Sequence, residues 1–291
     1  MWSVGRPREA ERLCFSRVSY PPGLFVVDRP AGSGYLDTDN SPTEGPVVVL
    51  VHGTLDRGNS FRRSSRRLED LRVVTYDRRG YQDSRGDGSV VGVEGHIEDL
   101  LGVLEEIGRP AVVVGHSLGG VVALGAAMAQ PARFASVAAF EPPMRWIPIE
   151  GRPERPWGMS QDPDAAVETF FRGRVGDAAW DRLEPAARAD RLADGPALVA
   201  DLASLSGDAL FDVTELTVPV VFGCGGVTDE FHIKNLAWLT EHVPGAQQIT
   251  IPGSGHGAHL THPDAFADFV RAAVARAVEP EAVDAPTSGD S

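Results

Sequence analysis

Val112-Val113-Val114-Gly115-His116-Ser117-Leu118-Gly119-Gly120-Val121-Val122 is the stretch that decides how this chain folds. An unbroken β-branched run, without alternation, describes a strand buried on both faces. Gly115 and Gly119 flank a serine and leave room for a sharp turn from strand to helix that projects the hydroxyl. Leu118 to Gln130 is rich in Ala and Gly and reads as a buried helix. Its N-terminal N–H groups and positive dipole end face the same spot. G-x-S-x-G recurs by chance in many chains. Its position between a β-branched run and a Gly/Ala helix makes Ser117 a candidate nucleophile rather than a turn residue.

Working outward, PVVVLVHG (46–53), LRVVTYD (71–77) and SVAAF (136–140) are further strand candidates. Between the second of these and the nucleophile strand lies an amphipathic segment, 93–107, with apolar Ile97, Leu100, Leu101 and Leu104 on one face. Such alternation predicts an α/β fold, a mostly parallel sheet flanked by helices. The pattern breaks over 142–214, where no strand is legible and several helices are expected. One of these is AAVETFF, which follows Asp162-Pro163 as cap and first-turn pair; another spans 185–206. From Val218 the alternation resumes with PVVFG (219–223), a helix near 232–242, AQQITI (246–251) and a closing helix from Pro263 to about 278. Upstream, RLCFSRVSY and GLFVVDR read as two strands joined by Pro21-Pro22-Gly23, followed by a loop over 37–45. The expected organisation is a core domain from 1–141 and 215–278, a helical cap inserted at 142–214, and a disordered acidic tail at 279–291.

Composition excludes several classes of function. The chain has 291 residues, with Lys+Arg 27 against Asp+Glu 41 and a formal charge of −14. So acidic a chain is a poor partner for nucleic acid or an anionic membrane surface. Lys234 is the single lysine among the 27 basic residues. Two cysteines, Cys14 and Cys224, make no disulfide framework. No apolar run reaches the ~18 residues of a membrane span, and MWSVGRPREAERLCF lacks the apolar core of a secretory signal. The expectation is a cytoplasmic protein without a membrane partner.

His52-Gly53-Thr54 closes the strand at 47–51. Beside a nucleophile elbow, the N–H of Thr54 pairs with that of Leu118 as a candidate oxyanion hole. Gly253-Ser254-Gly255-His256 follows the last strand, where a histidine on a Gly-rich loop can serve Ser117 as general base. His256, His259 and His262 also carry ligand-like spacing. Gly253, Gly255 and Gly257 oppose the helix that would align them, and no carboxylate or cysteine completes a set, so no metal and no cofactor is expected. His259 and His262 read as local polar contacts. His116 reads as packed, and Cys224 as a small buried apolar residue beyond a strand end. Met144, Trp146, Trp157, Met159, Phe170, Phe171 and Trp180 form an apolar set in the insertion, mostly its own core. Arg152, Arg155, Arg172 and Arg174 read as a solvated face, with a grip on an acidic substrate as the alternative.

Taken together, HGT at 52–54, DRRGYQDS at 77–84, GHSLGG at 115–120 and GSGH at 253–256 resemble the cap-bearing α/β-hydrolases, serine hydrolases of esterase and lipase type. The resemblance covers about residues 20–278 and departs at Gln82, where the family commonly has glycine. It implies a catalytic triad whose acid has two candidates. The commoner arrangement places it after the strand at 219–223, where position 226 is glycine and Asp229 is the nearest carboxylate. The other places it directly after SVAAF, at Glu141, which Pro142-Pro143 hold on a rigid strand end. Glu141 is preferred and Asp229 held in reserve, the latter also suiting the N-cap of FHIKNLAWL.

The implied function is hydrolysis of an ester, thioester or lactone-like carbonyl in a hydrophobic small molecule, through an acyl-enzyme on Ser117. Epoxide hydrolase and dehalogenase chemistry is disfavoured, because those relatives carry aspartate at the position of Ser117. Two competitors remain. One uses the acyl-enzyme for cyclisation, acyl transfer or perhydrolysis; the other is a receptor-like ligand-binding protein with residual catalysis. Substrate identity and oligomeric state are not legible in the sequence.

Overall fold

Alternate residues of the central strands enter two different cores, which explains why the strands carry no polar face. Val47, Val49, Val51, Val113 and Val137 pack on one side of the sheet, and Val48, Leu50, Val112, Val114 and Ala138 on the other. The computed structural model describes residues 26–29, 46–86, 88–150, 160–206 and 208–278. Its strands are β1 (Val26–Arg29), β2 (Val47–Val51), β3 (Arg72–Tyr76), β4 (Ala111–His116), β5 (Phe134–Phe140), β6 (Val220–Gly225) and β7 (Gln247–Ile251). They form one sheet in the order β1-β3-β2-β4-β5-β6-β7. Every pairing is parallel except β1 with β3.

The helices are α1 (Arg62–Ser65), α2 (Val93–Ile107), α3 (Leu118–Ala129), α4 (Pro163–Val175), α5 (Asp177–Asp181), α6 (Pro185–Leu192), α7 (Gly195–Ser204), α8 (Glu230–His242), α9 (Ala258–Thr261) and α10 (Pro263–Val278). Residues of α2, α3 and α8 cover one face of the sheet; Phe266, Phe269 and Val270 of α10, with Phe61 and Leu68, cover the other. The strand predicted over 12–20, the loop over 37–45, Cys14 and the tail 279–291 lie outside the described residues, as do Arg152, Arg155, Trp157 and Met159. Among the described residues no helix is long and apolar enough to cross a membrane.

Helices α4–α7 arise between β5 and β6. Asp162 caps α4 by accepting the Asp164 N–H, and Pro163 occupies the first turn. The single helix expected over 185–206 is broken at Ala193-Asp194 into α6 and α7, because Gly195-Pro196 starts a new first turn. Ala166, Val167, Trp180 and Leu198 form a separate small core, which Leu55 joins from the loop after β2. These helices therefore rest on the carboxyl end of the sheet. Arg191 donates to Leu55 O at 3.0 Å, Arg57 and Arg85 pair with Asp190, and Arg85 also pairs with Asp194.

One boundary differs from the sequence expectation. β6 continues through Cys224 to Gly225, because Cys224 and Gly225 pair with Thr250 and Ile251 of β7. Cys224 is accordingly a buried strand residue, and burial raises its thiol pKa.

Candidate active site

Thr54, Ser117, Glu141 and His256 follow β2, β4, β5 and β7, at the carboxyl end of the parallel strands where open sheets place their sites. Ser117 occupies φ 53° and ψ −125°, a conformation that a non-glycine residue keeps only when its surroundings enforce it. Its N–H donates to Phe140 O at 2.8 Å, and its own carbonyl accepts from Gly120 N–H at 2.8 Å. The turn needs glycines. A Cβ at position 115 would lie 2.1 Å from Gly119 O, and one at position 119 would lie 2.1 Å from Val51 O. Strand end, helix start and the end of β2 are thus in backbone contact.

Glu141 directly follows β5, with φ 49°, and its N–H donates to Gly223 O at 2.9 Å. Its carboxylate is buried. Oε1 accepts the Gly225 N–H at 2.8 Å; Oε2 accepts Thr228 Oγ1–H at 3.0 Å and lies 2.5 Å from His256 Nδ1. Asp229 stands elsewhere. It is the N-cap of α8, accepting the His232 N–H at 3.1 Å, and its half-exposed side chain lies 3.5 Å from Arg174. Of the two candidate acids, the fold therefore brings Glu141 onto His256 and uses Asp229 to start a helix.

His256 lies in a row of four imidazoles. His232 stacks on it at 4.8 Å and 20°, His116 tilts against its other neighbour side at 4.7 Å, and His259 lies 4.3 Å beyond His116. His116 Nε2–H donates to His256 O at 2.8 Å, which ties the loop to the end of β4. His259 Nε2 lies 3.2 Å from Asp56. His262 ends α9 instead of continuing it, so the three histidines of the 256–262 stretch share no helix face. Burial, reinforced by the positive charge of Arg174, holds the His256 pKa well below the ordinary histidine value. Burial raises Glu141, against the opposing pull of His232 and the two hydrogen-bond donors. The resting imidazole is therefore neutral, the form a general base requires.

The N–H groups of Thr54 and Leu118 have no protein acceptor among the described residues. Leu118 is the first residue of α3, where an N–H has no partner within the helix. Gly53 packs directly on the nucleophile; a Cβ there would lie 2.9 Å from Ser117 Cβ. His52 is held as one tautomer. Its Nε2 accepts the Arg78 N–H at 2.8 Å, so the proton is on Nδ1, which donates to Gly53 O at 2.7 Å. Burial, with Arg78 beside it, lowers the His52 pKa to about 3.

Two sets of side chains offer two imidazoles and a carboxylate within 4.8 Å: Asp56 with His116 and His259, and Glu141 with His232 and His256. Each carboxylate already accepts from a histidine of its own set. The sequence reading had no carboxylate beside His259 because Asp56 lies some two hundred positions away. It also missed His232, which is fully buried with neither ring nitrogen bonded among the described residues. The remaining candidates divide. Arg172 and Arg174 are both partly exposed; Arg172 pairs with Glu168, Asp177 and Asp181, whereas Arg174 faces Asp229. Met144 belongs to the main core; Phe170, Phe171 and Trp180 belong to the small one.

A profile of the alpha/beta hydrolase family matches residues 48–269. Pimeloyl-[acyl-carrier protein] methyl ester esterase of Aliivibrio fischeri is 27% identical over 250 residues, covering 78% of this chain and 93% of that enzyme. Polyketide synthase ThaQ of Burkholderia thailandensis is 30% identical over 249 residues, covering 78% of this chain but only 12% of that synthase. Among solved structures, an alpha/beta hydrolase from Sphaerobacter thermophilus superposes with a TM-score of 0.65 at 26% identity, covering 85% of this chain and 95% of that one.

Proposed function

This chain belongs to the alpha/beta hydrolase family, and from that premise we propose that it is a serine hydrolase of hydrophobic carboxylic esters or thioesters. The reading is carried by one arrangement: the strained Ser117, the Glu141–His256 pair and two N–H groups without a protein partner all stand at one end of the sheet. Ser117 Oγ attacks the carbonyl carbon while His256 takes its proton. Thr54 and Leu118 N–H stabilise the oxyanion of the tetrahedral intermediate. His256 returns the proton to the leaving oxygen or sulfur, and a water activated by the same imidazole then hydrolyses the acyl-enzyme. Glu141 holds His256 in the tautomer that presents Nε2 to Ser117 and stabilises the imidazolium formed in each step.

In this reading, residues 142–214 act as a cap that closes the site, and the apolar residues of α4 and α7 favour a hydrophobic acyl or alcohol part. Similarity to the Aliivibrio methyl ester esterase supports ester cleavage. Similarity to a segment of a polyketide synthase supports a second reading, in which the acyl group passes to a nucleophile other than water.

A fluorophosphonate probe tests the proposal. It is expected to label Ser117 in the wild type and nothing in Ser117→Ala, and p-nitrophenyl esters of graded chain length are expected to be cleaved by the wild type alone. Resistance to labelling together with no ester cleavage would overturn the reading. Product analysis with an added alcohol or amine separates hydrolysis from transfer.

A further inference from the structure

Asp201 sits on α7, in the helical segment between β5 and β6, yet its carboxylate is fully buried against the loops that follow β2 and β3. Five donors converge on it. Oδ1 accepts from Arg78 Nη1 at 3.1 Å and from His96 Nε2 at 3.0 Å. Oδ2 accepts from Arg78 Nη2 at 2.8 Å, Tyr81 Oη at 2.6 Å and Thr54 Oγ1 at 3.0 Å. Arg78 is equally buried. It turns its remaining donors on two successive carbonyls of the oxyanion strand end: Nε to His52 O and Nη2 to Gly53 O, both at 3.0 Å.

That placement fixes one peptide plane. The Gly53–Thr54 bond is trans, so its carbonyl and its N–H point in opposite directions. With the carbonyl held by Arg78 and by His52 Nδ1–H, the Thr54 N–H is turned away from the buried ion pair. Rotating the peptide by half a turn would break both bonds and offer a carbonyl oxygen where the N–H now stands. Thr54 is held a second time through its side chain on Asp201. A buried carboxylate with several charge-assisted donors is geometrically over-determined in a way that an exposed pair is not.

We propose that Asp201, acting through Arg78 and Thr54, is a positioning residue for the oxyanion hole, so that this one carboxylate of the helical segment, rather than docking of the segment in general, turns the Gly53–Thr54 peptide to face Ser117. The proposal rests on the serine-hydrolase reading given above. It makes the segment between β5 and β6 part of the catalytic apparatus and not only a cover over it. Oxyanion contacts strengthen in the transition state, so their misplacement acts on kcat far more than on KM.

The experiment uses the full chain and a p-nitrophenyl ester, with active sites counted by fluorophosphonate titration so that each rate refers to folded enzyme. Asp201→Asn keeps the shape of the side chain but removes the charge and places an amide NH2 against two of the five donors if it replaces Oδ1, or three if it replaces Oδ2. The expected result is a fall in kcat of about 10- to 100-fold, somewhat less than deletion of an oxyanion donor costs. KM stays within a factor of about three, and affinity for a phenylboronic acid, whose tetrahedral adduct on the serine needs the same N–H groups, falls in parallel. Thr54→Val keeps the backbone N–H and nearly the same shape while removing the bond to Asp201. It is expected to lower kcat and boronate affinity together, to a smaller degree, and it decides the matter if Asp201→Asn does not fold. Asp190→Asn, which removes the two ion pairs with Arg57 and Arg85 at the edge of the same segment, is expected to leave both unchanged.

Wild-type kcat and boronate affinity in Asp201→Asn or Thr54→Val, whatever the change in melting temperature, would overturn the proposal. So would an equal loss in Asp190→Asn, which would assign the effect to docking in general. Failure of the wild type itself to label at Ser117 removes the serine-hydrolase reading, and is distinguishable because no variant is then needed to see it.

Discussion

Ser117 at φ 53° and Glu141 at φ 49° both hold a backbone region that costs a non-glycine residue roughly 1–3 kcal/mol. Each is the first residue after a central strand, and each is held by an N–H bond to a carbonyl of the neighbouring strand, Phe140 O and Gly223 O respectively. The two residues assigned nucleophile and acid thus stand on strained backbone that neighbouring strands hold in place. Glu141→Gln is expected to lower kcat by up to about 10⁴ through loss of the preferred His256 tautomer. Asp229→Asn keeps an N-cap side chain and is expected to remain near wild type. Steady-state kinetics on the two variants check this, and the opposite ranking would transfer the role to Asp229. The pH profile follows from burial of His256. Its pKa lies below the ordinary value of 6.5, so the neutral base persists as pH falls through 6.5. The acidic limb of kcat/KM, which reports the free enzyme, is therefore expected below pH 6.5. A limb above that value would mean that Glu141 stabilises the imidazolium in the free enzyme more than burial opposes it.

At the scale of elements, the β4–α3 turn packs its backbone directly against the end of β2, with no room for a side chain at Gly119. Gly119→Ala would place a methyl carbon 2.1 Å from Val51 O and 2.6 Å from His52 O, both backbone atoms that cannot swing aside. It is expected to lower the urea midpoint by the equivalent of about 1–3 kcal/mol or more. Activity should fall with it, because the displaced atoms belong to the elbow and the strand end before Thr54. Denaturation of purified Gly119→Ala beside wild type checks the first part. The turn at Gln82, where the resembling family commonly carries glycine, is a second strained point. Gln82 holds φ 44°, and its N–H donates to Asp194 Oδ1 at 3.1 Å, so the helical segment supports it from outside. Elements with strong local patterns, such as α2, were legible to the residue. The break between α6 and α7 was not read, although Gly195-Pro196 marks it; the N-cap residue Asp194 makes no side-chain cap bond, and its carboxylate serves Arg85 and Gln82, over a hundred positions away.

For the whole molecule, the buried Arg78–Asp201 pair decides whether α4–α7 behave as a separate unit. Removing one partner of a buried pair leaves an uncompensated charge, typically a loss of about 3–5 kcal/mol. Hydrogen exchange is accordingly expected to protect α7 as strongly as α2 and α3, in one cooperative unit. Burial raises the Asp201 pKa, but Arg78 and His96 outweigh it and hold the carboxyl below its ordinary value. A carboxylate with a depressed folded pKa stabilises fully above its unfolded value, about 3.9, and loses that contribution as pH falls through the folded one. The Asp201 contribution is therefore expected to hold down to about pH 4 and to decline progressively below it, while His96 and His52, buried with lowered pKa values, already favour the unfolded state as pH falls below 6.5, so that protection of α7 is expected to weaken from there. Faster exchange of α7 than of α3 at neutral pH would show an independently opening segment.

What the sequence determined by itself was whatever local chemistry dictates. Unbroken β-branched runs describe strands buried on both faces, a 3.6-residue apolar period lays one helix face on them, and a serine between glycines at their junction reads as a nucleophile elbow. Those rules placed the sheet, α2, α3 and Ser117, and marked Thr54 at a strand end, Leu118 at a helix start and His256 on the loop after the last strand. Between the two acids the sequence preferred Glu141, on its rigid strand end, and kept Asp229 in reserve; tertiary structure supplied the contact itself, setting Glu141 on His256 once β5 and β6 are paired and leaving Asp229 as the cap of α8. It alone revealed Asp201, whose sole sequence signal is an acid beside Leu198 and Ala197 on the apolar side of a short helix. It alone assembled the four-imidazole row from positions 116, 232, 256 and 259. The physical reason is the same in each case: the energy of a buried charge or ring is set by partners far away in the chain, and no local pattern carries their identity.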